Sequence, residues 1–279
     1  MSYENPPPPE HVNVSRDNPF VEFLRLVAGL AVAVASIAAV LYFGGSRVAR
    51  LVPFETECAL VGDSPPGITL TETGANRGPV AVYLQDVTER LAAAMDLPAG
   101  MKLKVHDVNT GVPNAFAGLG GHIAVSRGLY EKMASENALA VVLAHEIAHI
   151  RARDPIAGLG GGAALLLALA LVRGDAAGLS SAFAGVVQAG YSRRAESEAD
   201  EAAIAAVRSV YGHAGGGSEA FRALADYQQA HGGEGPSFLS THPLTEERIE
   251  RMKTAAEGWD PQRQPLRPIA VPAAAPASG

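Results

Sequence analysis

Hydrophobic and polar positions divide the chain into segments of distinct period. Between Arg25 and Arg47 periodicity disappears: 21 uncharged residues, LVAGLAVAVASIAAVLYFGGS, carry no strongly polar side chain. As a helix they reach about 30 Å, the thickness of a bilayer core, and predict a membrane anchor over 21–46. After Gly78-Pro79, the apolar residues Val80, Leu84, Val87, Leu91 and Met95 recur at helical spacing and stop before Pro98. Met101, Leu103 and Val105 alternate with Lys102, Lys104 and His106, which predicts a half-buried strand. Asn114–Ala117 and His122–Val125 read as two short strands of a hairpin around Gly118, Gly120 and Gly121. Ser135 is suited to cap a helix over 136–153, ended by Asp154-Pro155.

Two further uncharged stretches, 155–172 and 176–192, flank Arg173-Gly174-Asp175. They read either as a transmembrane hairpin or as an apolar helical hairpin packed on the domain and facing the membrane. The second is favoured, because Pro155, Gly158 and Gly160–Gly162 weaken the first stretch as a span. Helices are predicted again over 194–211, 218–231 (capped by Ser218) and 244–257. The resulting fold class is α+β and mainly helical, with a small β-sheet. Its parts are a disordered Pro-rich tail over 1–20, the anchor, a linker over 47–78 with possible short strands, a domain over 79–257, and a disordered Pro/Ala tail over 258–279.

Composition narrows the partners. Charged residues make up 18% of the 279, and the net charge is −7, so no basic field exists to neutralise phosphates and nucleic acid is not expected as a partner. Cys58 is the sole cysteine, which excludes a disulfide framework and any multi-cysteine metal site. A metal site must therefore use histidines and carboxylates.

His145-Glu146-Ile147-Ala148-His149 supplies them within the predicted helix 136–153. Imidazoles at i and i+4 share one face and can reach one cation, while Glu146 can stand beside it as a general base. Zinc suits imidazole and carboxylate donors with one open position, and one ion per chain is expected. Ala152 and Pro155 occupy the positions where an extended three-histidine motif would need Gly and His, so a third ligand must come from elsewhere. Glu196 is the strongest candidate, 47 residues after His149. Asp200, four residues later on the same helical face, could orient a ligating histidine through its outer N–H, whereas Glu198 should point away.

His-Glu-Ile-Ala-His followed by Tyr191-Ser-Arg-Arg-Ala-Glu-Ser-Glu-Ala-Asp200 resembles the membrane-associated zinc metallopeptidases that include HtpX, the BepA-like periplasmic proteases and the CAAX prenyl proteases. Pro113-Asn114-Ala115-Phe116-Ala117, Gly121-His122-Ile123-Ala124-Val125 with Gly128-Leu129, and Ser240-Thr241-His242-Pro243 extend the likeness. The resemblance implies a zincin-type domain in which His145, His149 and Glu196 ligate zinc and Glu146 activates the metal-bound water. It also implies that Gly121, His122, Ile123, Ala124 and Val125 form an edge strand able to pair with an extended substrate. His242 is then either a latch that approaches the metal or a loop histidine before the Pro243 turn. Arg193 and Arg194 are candidates for oxyanion stabilisation or for surface ion pairs.

The expectation is a membrane-anchored zinc endopeptidase acting on misfolded or membrane-associated polypeptides in protein quality control. Its bilayer contacts would be 26–46 and possibly 155–192. The alternative is a membrane-tethered chaperone or binding protein with a latched or structural zinc site. A prenyl-protein processing enzyme would need several spans around the site and ranks lower. Arg16 and Arg25 on one side of the anchor balance Arg47 and Arg50 on the other, so charge leaves orientation open. An inner-membrane anchor with a periplasmic domain is the preferred arrangement.

Overall fold

The computed structural model describes residues 18–62, 78–158, 190–231 and 238–270. Helix α1, Pro19–Ala49, extends past the uncharged run at both ends and is apolar all round, so no face selects a protein core. Phe23, Leu26 and Val40 are each more than 60% exposed. Among the described residues it is the one helix long and apolar enough to cross a membrane. Of the tail predicted over 1–20, residues 1–17 lie outside the described residues, whereas Pro19 and Phe20 already belong to α1; most of the apolar hairpin, 159–189, lies outside them as well.

Of the linker over 47–78, residues 63–77 lie outside the described residues, and the described part before them is not built as expected. In place of short strands, Phe54–Val61 forms helix α2, which docks on the domain. Pro53 precedes its first residue, where a missing N–H and a fixed φ cost nothing. Glu57 is buried and accepts a hydrogen bond from the Gly120 N–H at 2.7 Å, which ties α2 to the sheet. His122 Nε2 reaches the Gly62 carbonyl at 3.2 Å and adds a second tie.

Helix α3, Pro79–Ala93, buries Ala81, Leu84, Val87, Thr88 and Leu91 along one stripe. It packs against β1, Lys104–Val108, and against α5, Glu136–Arg151, the central helix. β2, Ala115–Ala117, and β3, His122–Ser126, complete a three-stranded sheet. The order is β1-β3-β2, with β3 parallel to β1 and antiparallel to β2. The Gly121–Val125 segment is therefore not an edge. It is the middle strand, paired on both sides and buried along its whole length. The sequence misleads because a two-strand hairpin is local, whereas β1 closes on β3 from the far side. Gly121, at φ +79°, turns the chain into β3 where a Cβ would collide with the Lys102 carbonyl.

Short helix α4, Arg127–Lys132, leads to α5, whose residues 136–150 are all buried. Helix α6, Arg193–Tyr211, lies against α5. Helix α7, Gly217–Ala230, covers another part of α5, and its N-cap is Gly216 rather than the expected Ser218. One-turn helix α8, Phe238–Thr241, and helix α9, Glu246–Ala255, complete the domain.

Residues 258–270 are not the disordered tail that their Pro content suggests. They form a strap over the start of α5: the Arg267 carbonyl accepts from Glu136 N–H at 2.8 Å, and Arg267 N–H donates to Asn137 Oδ1 at 2.8 Å. Trp259 stacks on His213, and Ile269 packs against the core. Residues 271–279 lie outside the described residues.

Candidate metal centre

Ser135 caps α5 by accepting from Ala138 N–H at 3.1 Å, which satisfies one of the open donors of the first turn. Glu136 sits in that turn, where its charge complements the helix dipole, and accepts from the hydroxyls of Tyr83 and Tyr211, both at 2.9 Å. Secured at this end, α5 carries His145 and His149 one turn apart near its other end. Their Nε2 atoms lie 3.1 Å from each other.

Each ring is oriented from behind by a carboxylate. His145 Nδ1 is 3.0 Å from Asp200 Oδ1, and His149 Nδ1 is 2.9 Å from Asp154 Oδ2. A ring N–H held in this way leaves the opposite Nε2 lone pair facing the common point. Asp154 is delivered by an uncommon turn: Arg153 adopts φ +62°, and the chain folds back beneath His149.

Helix α6 is capped by Ser192, which accepts from Ala195 N–H at 3.2 Å, and its first turn brings in Glu196. Glu196 Oε2 is 3.4 Å from His145 Nε2, and Oε1 is 3.5 Å from His149 Nε2. Asp200, one turn on, faces the same way. Glu198 points out and pairs with Arg194, itself 89% exposed. His242, at the end of α8, places Nδ1 2.9 Å from Glu196 Oε1 and 3.2 Å from His145 Nε2. Phe238 stacks on its ring at 4.5 Å. Thus His145, His149, Glu196 and His242 form a buried four-donor group able to hold a metal ion.

The donor spacing suits such an ion. Arms of about 2.0–2.1 Å in a tetrahedron put neighbouring donors roughly 3.3 Å apart, close to the separations above. Charge leads the same way. Glu146, Asp154, Glu196 and Asp200 are buried carboxylates, and the guanidinium groups facing them are those of Arg248 and Arg50. With the histidines neutral, as metal ligands must be, two negative charges are left over, which a divalent cation would balance; without a cation, protonation of a histidine takes up part of that charge. Burial opposes charging of His145, yet Asp200 and Glu196 outweigh it and push its pKa up to about 9. Burial would raise Glu196, but His145, His149 and His242 hold it far below the usual carboxylate range. Burial lowers His242, against the pull of Glu146 and Glu196.

Glu146 is fully buried beside this group, and among the described residues neither of its carboxylate oxygens has a hydrogen-bond partner. Its Oε1 is 3.4 Å from His242 Nε2. A buried carboxylate next to a cation site stands where a general base would be needed.

Sequence reasoning missed three contributors. Arg248 bridges Glu196 and Asp200. Asp154 looks in sequence like nothing more than a helix stop. Tyr191, adjacent to the Ser192 cap, stacks on His149 at 3.9 Å, and burial raises its pKa well above the ordinary value. The only signal for Arg248 was its place six residues beyond His242 at the start of a helix.

The strand with an unpaired side next to the site is β2, since among the described residues it pairs with β3 alone and packs on α5. Among the described residues the unpaired edge on this side of the sheet is therefore Ala115–Ala117 and not Gly121–Val125.

Comparison with known proteins follows the same outline. Residues 80–256 match the model of peptidase family M48, a stretch that takes in every site residue from His145 to Arg248. A Vibrio cholerae protein bearing the name beta-barrel assembly-enhancing protease is 35% identical over 197 residues, 64% of this chain and 40% of its own length. Mitochondrial metalloendopeptidase OMA1 of Schizosaccharomyces pombe is 28% identical over 195 residues, 68% of this chain and 56% of its own. A protease HtpX homolog of Aquifex aeolicus is 43% identical over 93 residues, 31% of this chain and 30% of its own. The chain therefore spans about half or less of the length of these relatives. With an M48 match over most of its length, and a buried His/Glu group of the kind a metal-dependent peptidase uses, the chain belongs to peptidase family M48.

Proposed function

We propose that this protein is a membrane-anchored zinc endopeptidase in which His145, His149 and Glu196 hold the ion and Glu146 is the catalytic base. The observation that carries this is the convergence of two Nε2 atoms and one carboxylate beside the buried Glu146. Two imidazoles and a carboxylate are a donor set suited to zinc. A zinc ion there would polarise both water and the scissile carbonyl. Glu146 takes the proton of the attacking water and returns it to the leaving amine as the C–N bond breaks. An extended polypeptide can add along β2, held by backbone hydrogen bonds with little demand on its sequence. That suits misfolded or membrane-associated substrates.

The exposed apolar surface of α1 supports a bilayer anchor, and an inner-membrane location with the domain on the periplasmic side is the arrangement we favour. His242 supports one refinement: it occupies a fourth donor position, as a resting enzyme closed by its own histidine would require. The same contact favours the second reading, a tethered binding protein with a closed structural site.

Zinc content and casein cleavage, measured together on wild type and Glu196→Ala with and without chelator, test the assignment. Near one zinc per chain, chelator-sensitive cleavage and loss of both in the variant are expected. Zinc without cleavage, even after His242→Ala, would favour the structural site.

A further inference from the structure

The end of the anchor helix reaches the metal centre. Arg50, the residue after α1, donates from Nη2 to Asp154 Oδ1 at 2.8 Å, and the other oxygen of the same carboxylate holds His149 Nδ1 at 2.9 Å. The neighbouring Arg153 is gripped from the same side: its Nη2 donates to the Val52 carbonyl at 2.7 Å and lies 2.8 Å from Glu57 Oε2 on α2. Its guanidinium also lies over the Phe54 ring, 5.3 Å from the centroid. Arg153 is one of two described non-glycine residues with positive φ, a conformation that L side chains adopt only at a cost. The segment 50–57 thus holds both the strained turn and the carboxylate that the turn presents.

We infer that Arg50 is a positioning residue for the metal centre, acting on His149 through Asp154, so that the membrane-proximal segment is part of the shell that sets metal affinity. The inference rests on the metal assignment proposed above. Its physical basis is that a histidine ligand binds best when its outer N–H is fixed, and a carboxylate fixes it best when its own second oxygen is engaged. Loss of such outer partners weakens metal binding by about 10–100-fold. The pair itself contributes little to folding, because the Arg50 side chain is 47% exposed and surface ion pairs are weak. Affinity, not stability, should therefore register its loss.

The test uses the full chain in detergent micelles. Zinc affinity is measured by competition with a chelating dye, and the visible absorption of the cobalt-loaded protein reports ligand geometry. Arg50→Ala should lower zinc affinity about tenfold and alter the cobalt bands, with the circular dichroism melt close to wild type. Arg50→Lys, which keeps a donor, should recover most of the loss. Arg47→Ala, one turn earlier and exposed, should match wild type. Unchanged affinity and spectrum in Arg50→Ala would overturn the proposal. So would an equal loss in Arg47→Ala, or unfolding of Arg50→Ala, which would make the pair a structural one. Wild type that binds no zinc would instead overturn the metal assignment itself.

Discussion

Arg248 and Asp200 are joined by two parallel hydrogen bonds, 2.7 Å from Nε and 2.8 Å from Nη2, deep in the domain. The remaining Nη1 reaches Glu196 Oε2 at 2.7 Å. One guanidinium thus aligns the carboxylate behind His145 and the carboxylate in the donor group. Its planar fork suits this task, and the point charge of a lysine does not. Arg248→Ala leaves buried carboxylates uncompensated, so urea denaturation should show a loss of about 3–5 kcal/mol. Arg248→Lys should fold more stably than Arg248→Ala yet bind zinc more weakly than wild type.

Glu146 is not placed among the four donors, so removing its charge should spare the metal. Glu146→Gln should hold zinc at the wild-type ratio and lose roughly 100- to 10,000-fold in casein turnover. Residual hydrolysis near the wild-type rate in a metal-loaded, protease-free sample would exclude Glu146 as the base.

His242 supplies a fourth donor and approaches Glu146. On the function proposed above, its removal would open the fourth donor position to water and substrate. His242→Ala should keep about one zinc per chain and cleave casein faster than wild type. Loss of zinc in this variant would instead identify His242 as a structural ligand.

The sheet carries a separate pH-dependent element. His106 Nε2 and His122 Nδ1 are 2.6 Å apart in the interior, with stacked rings. Burial, aided by His122 and Lys104, lowers the His106 pKa to about 4. The unfolded chain binds this proton near pH 6.5, whereas the folded chain resists it until about pH 4. Stability is therefore complete above pH 6.5 and declines as pH falls through this window, by roughly 2 kcal/mol at pH 5. Thermal melts at pH 7.5 and 5.0 should show this loss in wild type and a smaller one in His106→Gln.

Local patterns were the legible part. The helix carrying His145 and His149 is marked by Ser135 as its cap and by Asp154-Pro155 at its end, and the helix carrying Glu196 and Asp200 begins within a residue of its expected start, although its Ser192 cap was not read from the sequence. The contacts that complete the centre are not local: Arg248 meets Asp200 across 48 residues and Arg50 meets Asp154 across 104. No spacing rule links such pairs, because the intervening fold brings them together. Strand order failed for the same reason, since a hairpin cannot announce that β1 will cover its other side. The Pro-rich strap was misread because composition records low helix propensity and says nothing of docking by backbone hydrogen bonds.

The strap also sets an order of events. In the first turn of α5 the Glu136 N–H donates to the Arg267 carbonyl, and Asn137 Oδ1 accepts from the Arg267 N–H across 130 positions. That turn cannot be completed during synthesis until Arg267 has emerged, by which time Glu196, His242 and Arg248 have emerged as well. The contact that closes the start of the helix bearing both histidines is thus the last of these to become available, after every side chain that balances its charge.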